Sequence, residues 1–257
     1  MEAVLEVRNV RKRFGAVEAL RGISFTLKRG EVLGIAGDNG AGKSTLIKVI
    51  SGVHIPDEGE IELEGHRVIF RSPREARNAG IETIYQDLAL ADQLNVGANI
   101  FLGREPTRKI LGFLPIIHNE KIRQEVNQLL GKIESHIPDY ETKVMDLSGG
   151  QRQAVAIARA MYWKAKIVIM DEPTAALAAM ESKNVVKMAR SLASEGISVI
   201  FIDHNLPELL EVCDRVMVMY RGRKVYECPS RQTSQDELVR YMTGYSELAA
   251  EGGERQL

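Results

Sequence analysis

Cysteine is scarce in this chain: two residues in 257, Cys213 and Cys228, at no spacing that builds a metal site or a redox pair. Cys213 follows Leu206, Leu209 and Leu210 at helical intervals, which predicts a buried, reduced thiol. Aromatic residues make up only 5% of the chain, with a single tryptophan. Neither sign of charge prevails, since 34 Lys and Arg face 35 Asp and Glu for a formal net charge of -1. That balance argues against general nucleic-acid binding, although it is compatible with a local basic patch. No apolar run approaches the roughly 18 residues of a membrane-spanning helix. The longest are "IVIM" (167–170), "VIFI" (199–202) and "FLPII" (113–117), the last broken by Pro115. The opening "MEAVLEVRN" lacks a basic-then-apolar export pattern. The expectation is a soluble protein that stays inside the cell and meets a membrane only through a partner.

What is present is a change of periodicity along the chain. "LEVRNV", "GISFTL" and "GEVLGIAG" read as strands, and the almost wholly apolar "VLGIAG" suits a central strand covered on both faces. "GAGKSTLIKVISG" reads as a helix with Leu46, Ile47, Val49 and Ile50 on its apolar side, ended by Gly52 and Pro56. "GEIELEG" and "HRVIF" suit a short antiparallel pair. From about Asn95 to Trp163 the pattern turns helical, with Ile122, Val126, Leu129, Leu130 and Ile133 sharing one face. Strands return in "KIVIMDEP", "SVIFIDHN" and "RVMVMYRG". This alternation predicts an α/β core with a mainly parallel sheet and an inserted helical lobe at about 88–163. The whole forms a single domain over 1–245, and the polar tail at 246–257 is expected to fray.

"GDNGAGKST", between a strand and a helix, fits the P-loop pattern from Gly37 to Ser44. Gly37, Asp38, Asn39, Gly40, Ala41, Gly42, Lys43, Ser44 and Thr45 are therefore candidate nucleotide-binding residues. Glycines let successive N–H groups converge on a phosphate, and the helix start adds the positive end of its dipole. Lys43 has the reach to touch the β- and γ-phosphates, and the Ser44 hydroxyl can ligand Mg²⁺. The apolar strand "IVIM" then ends in Asp171 and Glu172. Asp171 is placed to hold Mg²⁺, commonly through water, and Glu172 to polarise an attacking water. The other reading of that pair is a carboxylate cap on the turn before Pro173.

With "LSGGQ" (147–151) lying between these two motifs, the chain resembles the ATPase subunits of ATP-binding-cassette transporters, whose signature that pentapeptide is. The resemblance runs from "LEVRNVRKRFGAVEALRGISFTL" to "RVMVMYRGRKV", and it implies a P-loop NTPase core with an N-terminal antiparallel β subdomain. It also implies ATP and Mg²⁺ as cofactors, and a dimer in which each ATP is closed in trans by a partner's Ser148, Gly149, Gly150 and Gln151. The dimer is a pair of identical copies or a pair with a related cassette. Phe14 matches the aromatic that stacks on adenine, its other reading being an ordinary core residue at a turn. Gln86 matches the glutamine that approaches Mg²⁺ and water, and His204 the histidine that contacts the γ-phosphate.

Two positions depart from the family pattern. Ala178 stands where an interface aspartate is common, and Asp203 where serine is common. Strand alternation should point Asp203 away from His204, giving it a structural role. Neither change removes a catalytic group, so both ATP sites of a homodimer are expected to hydrolyse.

"GIETIYQDLAL", "NIFLGRE", "DEPTAAL" and "HNLPELLEVCDRVMVMYRGRKV" resemble the bacterial monosaccharide importers, in a single-cassette form. The partners this implies are integral-membrane permease subunits at the cytoplasmic face of the inner membrane and, indirectly, an extracytoplasmic solute-binding protein. Leu94, Val96, Ile100 and Phe101 are candidates for the permease groove or, taken singly, for lobe core. Amino acids or another small solute remain alternative cargoes. A soluble cassette ATPase acting on DNA or ribosomes is disfavoured by the absence of coiled-coil arms and of a second linked cassette.

Overall fold

The computed structural model describes residues 2–85, 88–110, 114–133, 137, 139–175 and 177–244. The tail expected to fray lies outside them. Two long strands, β1 (Ala3–Phe14) and β2 (Val17–Lys28), pair antiparallel about the Gly15 turn. Then come β3 (Val32–Ala36), α1 (Lys43–Ile50), β4 (Glu58–Leu63), β5 (His66–Val68), α2 (Pro73–Ala79) and β6 (Ile81–Ile84). The middle holds α3 (Val96–Phe101), β7 (Thr107–Ile110), β8 (Leu114–Ile117), α4 (Asn119–Lys132) and α5 (Gly149–Tyr162). After it come β9 (Ile167–Asp171), α6 (Ala179–Ser194), β10 (Ser198–Ile202) and α7 (Leu206–Val212). β11 (Arg215–Tyr220), β12 (Arg223–Pro229) and α8 (Gln235–Met242) follow.

Strands β2, β1, β4 and β5 form an antiparallel sheet in that order. The second sheet runs β12-β11-β3-β10-β9-β6, and only its edge strand β12 is antiparallel to its neighbour. Because side chains alternate across a strand, the apolar runs of this sheet serve two cores at once. Leu33, Ile35, Ile167, Ile169, Ile200, Ile202, Met217 and Met219 face α1 and the antiparallel sheet. Val32, Ala36, Val168, Met170, Val199, Phe201, Val216 and Val218 belong to the core that α5, α6 and α7 complete. The backbone of β3 passes so close to α7 that a Cβ on Gly34 would lie 2.7 Å from the Cys213 sulfur. Cys213 is buried and free, as its helical spacing predicts, at the C-cap of α7.

The α4 face is as expected, with Ile122, Val126 and Leu130 buried. One detail differs from the helical reading of the middle segment. β7 and β8 form a two-stranded antiparallel sheet, with Thr107 opposite Ile117 and Ile110 opposite Leu114. Pro115 cannot donate to an interior ladder, and an isolated hairpin tolerates it where a helix would not. Of the candidate groove residues, Val96, Ile100 and Phe101 are wholly buried in the lobe core, whereas Leu94 is exposed.

Arg159 of α5 ties this helix to the loop that follows β6. Its guanidinium donates to the carbonyls of Ala89 (2.9 Å) and Leu88 (3.2 Å), both residues in the left-handed region. Nearby, the buried Glu82 of β6 has Arg77 Nε 3.2 Å from its Oε2, off the direction of a hydrogen bond. Burial raises the Glu82 carboxyl, against the opposing pull of Arg77, Arg159 and Arg104. A carboxyl held above its unfolded value favours the fold at acid pH, and that contribution is lost as pH rises through the raised value. Glu82→Gln should therefore gain stability relative to the wild type as pH rises from about 4, the ordinary glutamate range, through the raised value of the folded protein. The difference in urea midpoints measures this, and a difference independent of pH would contradict it.

Candidate functional site

The parallel register sets the geometry of the site. Ile202 of β10 lies opposite Ile35 of β3 on one side and Asp171 of β9 on the other. The loops leaving these three strands consequently meet at one edge, outside the carboxyl ends of the sheet, where α/β proteins bind ligands. The first loop wraps to α1, whose N-cap is Gly42 at φ 103 with no side-chain cap. A Cβ on Gly42 would come within 2.7 Å of the Ala19 carbonyl, so the loop can lie this close to β2 only with glycine there. The amides of the first turn of α1 have no carbonyl one turn back and are open to an anion. A cavity of about 440 Å³ lies over them, walled by Val17, Glu18, Ala19 and Arg21, by 38–45, and by Glu172, Arg221 and Gly222.

Lys43 is buried, and its Nζ donates to the carbonyls of Gly37 (2.5 Å) and Asp38 (3.1 Å). Burial lowers its ammonium below the ordinary value, while Glu172, Asp171 and Asp38 pull it back up. Burial raises the Asp171 carboxyl, Glu172 adds to the rise, and Lys43 and Lys48 oppose it. Glu172 sits in the left-handed region at φ 51, with its N–H donating to the Ile202 carbonyl at 2.9 Å. A non-glycine residue in that conformation stores strain, and Glu172 lines the P-loop cavity. Ser44 and Asp171 are hard oxygen donors that suit Mg²⁺. Among the described residues no three His, Cys, Asp or Glu converge on one point, so a cation here needs nucleotide oxygens and water as further ligands.

Ser148 is the N-cap of α5 and forms a capping box with Gln151. Its Oγ accepts from Gln151 N (3.4 Å), and Gln151 Oε1 accepts from Ser148 N (3.0 Å). The box uses the oxygen of the hydroxyl and leaves its hydrogen and the first-turn amides of Gly149 and Gly150 to face an anion. None of these residues walls the P-loop cavity of their own chain. Gly149 instead lines a second cavity that also reaches Glu172.

Phe14 ends β1 on the surface, 44% exposed, so it is no core residue. It meets His54 edge-on at 5.0 Å, and Lys12 Nζ lies 5.7 Å from its ring centroid. Gln86 lies outside the described residues. His204 is exposed just beyond β10, and its Nδ1 is 3.7 Å from Asp203 Oδ1. The expectation that alternation separates the two fails in this respect, because both residues follow the strand's last residue, Ile202, where the pleat no longer applies. The structural role expected of Asp203 is nonetheless what its partners show. It is wholly buried, accepts from Thr174 Oγ1 (2.6 Å) and Asn205 N (2.9 Å), and so locks the loop after β9 to the loop after β10. Ala178 is the N-cap of α6 and offers the helix no side-chain acceptor.

Sequence reasoning missed Arg221 and Gly222. Their turn between β11 and β12 is pinned to the phosphate loop by Gly222 N donating to the Ala41 carbonyl at 2.9 Å. The dipeptide Arg-Gly between two strand runs signals a turn, but not which cavity the turn faces. Thr174→Val should leave the buried Asp203 carboxylate short of a donor and cost about 1–3 kcal/mol. Urea unfolding measures this, and an unchanged midpoint would show that the lock contributes nothing to the fold.

Residues 20–175 match the family described as ABC transporter. The chain is 49% identical over 246 residues to the xylose/arabinose import ATP-binding protein XylG of Sulfolobus acidocaldarius, covering 96% of each chain. It is 43% identical over 249 residues to the fructose import ATP-binding protein FrcA of Rhizobium meliloti, again covering 96% of each. The crystal structure of the ADP conformation of MJ1267, an ATP-binding cassette of an ABC transporter, superposes with a TM-score of 0.79 at 29% identity. That match covers 95% of this chain and 96% of MJ1267. A family match over more than half of the chain, on a fold whose P-loop, signature pentapeptide and strand-end carboxylates all stand in place, makes this chain a member of the ABC transporter family, an ATP-binding subunit that hydrolyses ATP for transport.

Proposed function

We propose that the chain energises the import of a monosaccharide, working as a pair of cassettes under a membrane permease. The observation that carries this reading is that two sugar-import ATP-binding proteins match the chain over nearly the whole of their own length. No helix among the described residues is long and apolar enough to cross a membrane, and in this reading the permease holds the chain at the bilayer. A solute-binding protein outside the membrane would deliver the sugar, and the cassette would never touch it.

The proposed hydrolysis follows from the site. ATP enters the P-loop cavity, its phosphates on the amides of 37–45 and its adenine against Phe14. Lys43 leaves the carbonyls of Gly37 and Asp38 for the β- and γ-phosphates, gaining the anionic partners that its buried ammonium lacks. Ser44 and Asp171, with Gln86, would hold Mg²⁺, which neutralises charge developing on the phosphate oxygens. Glu172 accepts a proton from the attacking water and orients it in line with the leaving group. His204 contacts the γ-phosphate. The anion site at Ser148–Gln151 closes over the ATP of the opposite cassette, consistent with its separation from the P-loop cavity of its own chain.

Glu172→Gln should reduce turnover by about a hundredfold or more and let an ATP-bound dimer accumulate. Size-exclusion with light scattering reads this, and a variant that stays monomeric in ATP at every concentration would remove the sandwich. Affinity capture from detergent-solubilised host membranes should recover a polytopic membrane protein, identified by mass spectrometry. Uptake assays on cells lacking that protein then assign the cargo. Recovery of ribosomes or nucleic acid instead would overturn the importer reading, and loss of amino-acid uptake in place of sugar uptake would overturn the cargo.

A further inference from the structure

The lock that Asp203 makes does not by itself call for a charge. Two neutral donors hold this wholly buried carboxylate: Thr174 Oγ1 on Oδ2 at 2.6 Å and Asn205 N on Oδ1 at 2.9 Å. An uncharged amide of the same size would carry both contacts, its oxygen accepting from Asn205 N and its NH2 donating to the threonine hydroxyl. A full charge kept from water opposes folding unless a cation answers it. No Lys or Arg among the described residues lies within ion-pair range of Asp203. The group there that can carry positive charge is the His204 ring, whose Nδ1 is 3.7 Å from Asp203 Oδ1. The His204 side chain is 66% exposed and makes no hydrogen bond with a described residue. That separation is longer than a hydrogen bond, and a ring so little restrained can close it by a small turn of its side-chain torsions. The other charged groups on the elements that meet at this edge are Asp171 and Glu172 where β9 ends, Lys43 at the start of α1 and Glu208 in the first turn of α7. Asp203 is the acid among the described residues that stands within ion-pair range of the ring.

We propose that Asp203 is a positioning residue for His204. Its Oδ1 accepts from Nδ1–H, which fixes the ring and leaves Nε2 as the outward nitrogen. Nε2 can donate to the γ-phosphate only when it too bears a hydrogen. A ring seated between this carboxylate and the γ-phosphate therefore carries both hydrogens, as imidazolium. ATP binding then draws a proton from solvent onto a neutral ring and sets one positive charge between two anions. The inference rests on the reading of His204 as the γ-phosphate contact. It also gives a purpose to aspartate where the family commonly has serine, since a hydroxyl could tie the loop but could not balance an imidazolium. Through Thr174, two residues past Glu172, the same carboxylate holds the ring in register with the acid that orients water.

The test compares Asp203→Asn, which keeps the size and both lock contacts and removes the charge, with His204→Ala and with the double variant, all in the full chain. In Asp203→Asn the kcat/KM for ATP hydrolysis should fall about tenfold or more, with a urea midpoint no lower than that of the wild type. In the double variant the loss should equal that of His204→Ala alone, because Asp203 acts through the ring. Calorimetric binding of a non-hydrolysable ATP analogue at about pH 8, where a free imidazole is neutral, is run in buffers of different ionisation enthalpy. It should show net proton uptake by the wild type, little uptake with ADP, which has no γ-phosphate, and little by either single variant. A merely structural aspartate would give losses that multiply in the double variant and an uptake unchanged by Asp203→Asn, and either result overturns the proposal. So does a wild type that takes up no more protons with the analogue than with ADP, a measurement that decides the matter even if Asp203→Asn does not fold. Wild-type turnover by His204→Ala overturns instead the reading of His204 itself.

Discussion

The in-register parallel pairing of β3, β10 and β9 is the constraint on which the rest of the molecule depends. It sets Ile35, Ile202 and Asp171 abreast, so that segments remote in sequence deliver a phosphate loop, a carboxylate pair and an Asp-His pair to one edge. A parallel sheet of this kind is stable only when both faces are covered. The antiparallel sheet with α1 covers one face, and α5, α6 and α7 cover the other. A slip of one residue would exchange the two apolar faces of a strand and rotate Asp171 out of the site. Packing on both faces thus sets the chemistry at the edge.

The site concentrates features that work against folding. Lys43 and Asp171 are charged groups that burial drives towards neutrality, Glu172 is held in a left-handed conformation, and Gly42 is a position that no side chain could occupy without moving β2. Each is offset elsewhere, by the two apolar layers and by locks such as Thr174 on Asp203 and Gly222 on Ala41. Strain and unfavourable charge burial collect where a nucleotide would relieve them. This is the pattern of a site built for its loaded state.

Much of this was legible beforehand because it rests on local chemistry. The spacing from Gly37 to Ser44, the acids after "IVIM", the serine and glycines opening α5, and the alternation of strands with helices each have a short-range cause. The α4 face was legible for the same reason. The β7–β8 hairpin was not: its residues carry no alternation strong enough to mark strands, and pairing between them decides their conformation. The placement of Asp203 relative to His204 is not legible from strand alternation, because both residues lie past the end of β10. Phe14 was open between core and surface, and its exposure on the finished sheet decided it.

The sequence alone determined the kinds of chemistry available and the order of the elements, since glycine conformation, helix caps and apolar periodicity act over a few residues. It also carried the family. Only the tertiary structure decided which of these groups face one another. Arg221 and Gly222 come to the wall of the P-loop cavity, Arg159 to the carbonyls of Leu88 and Ala89, and Gln153 to the cavity it shares with Glu172. Those meetings depend on the sheet's register and on how helices pack against its face, interactions between parts of the chain that no local pattern connects.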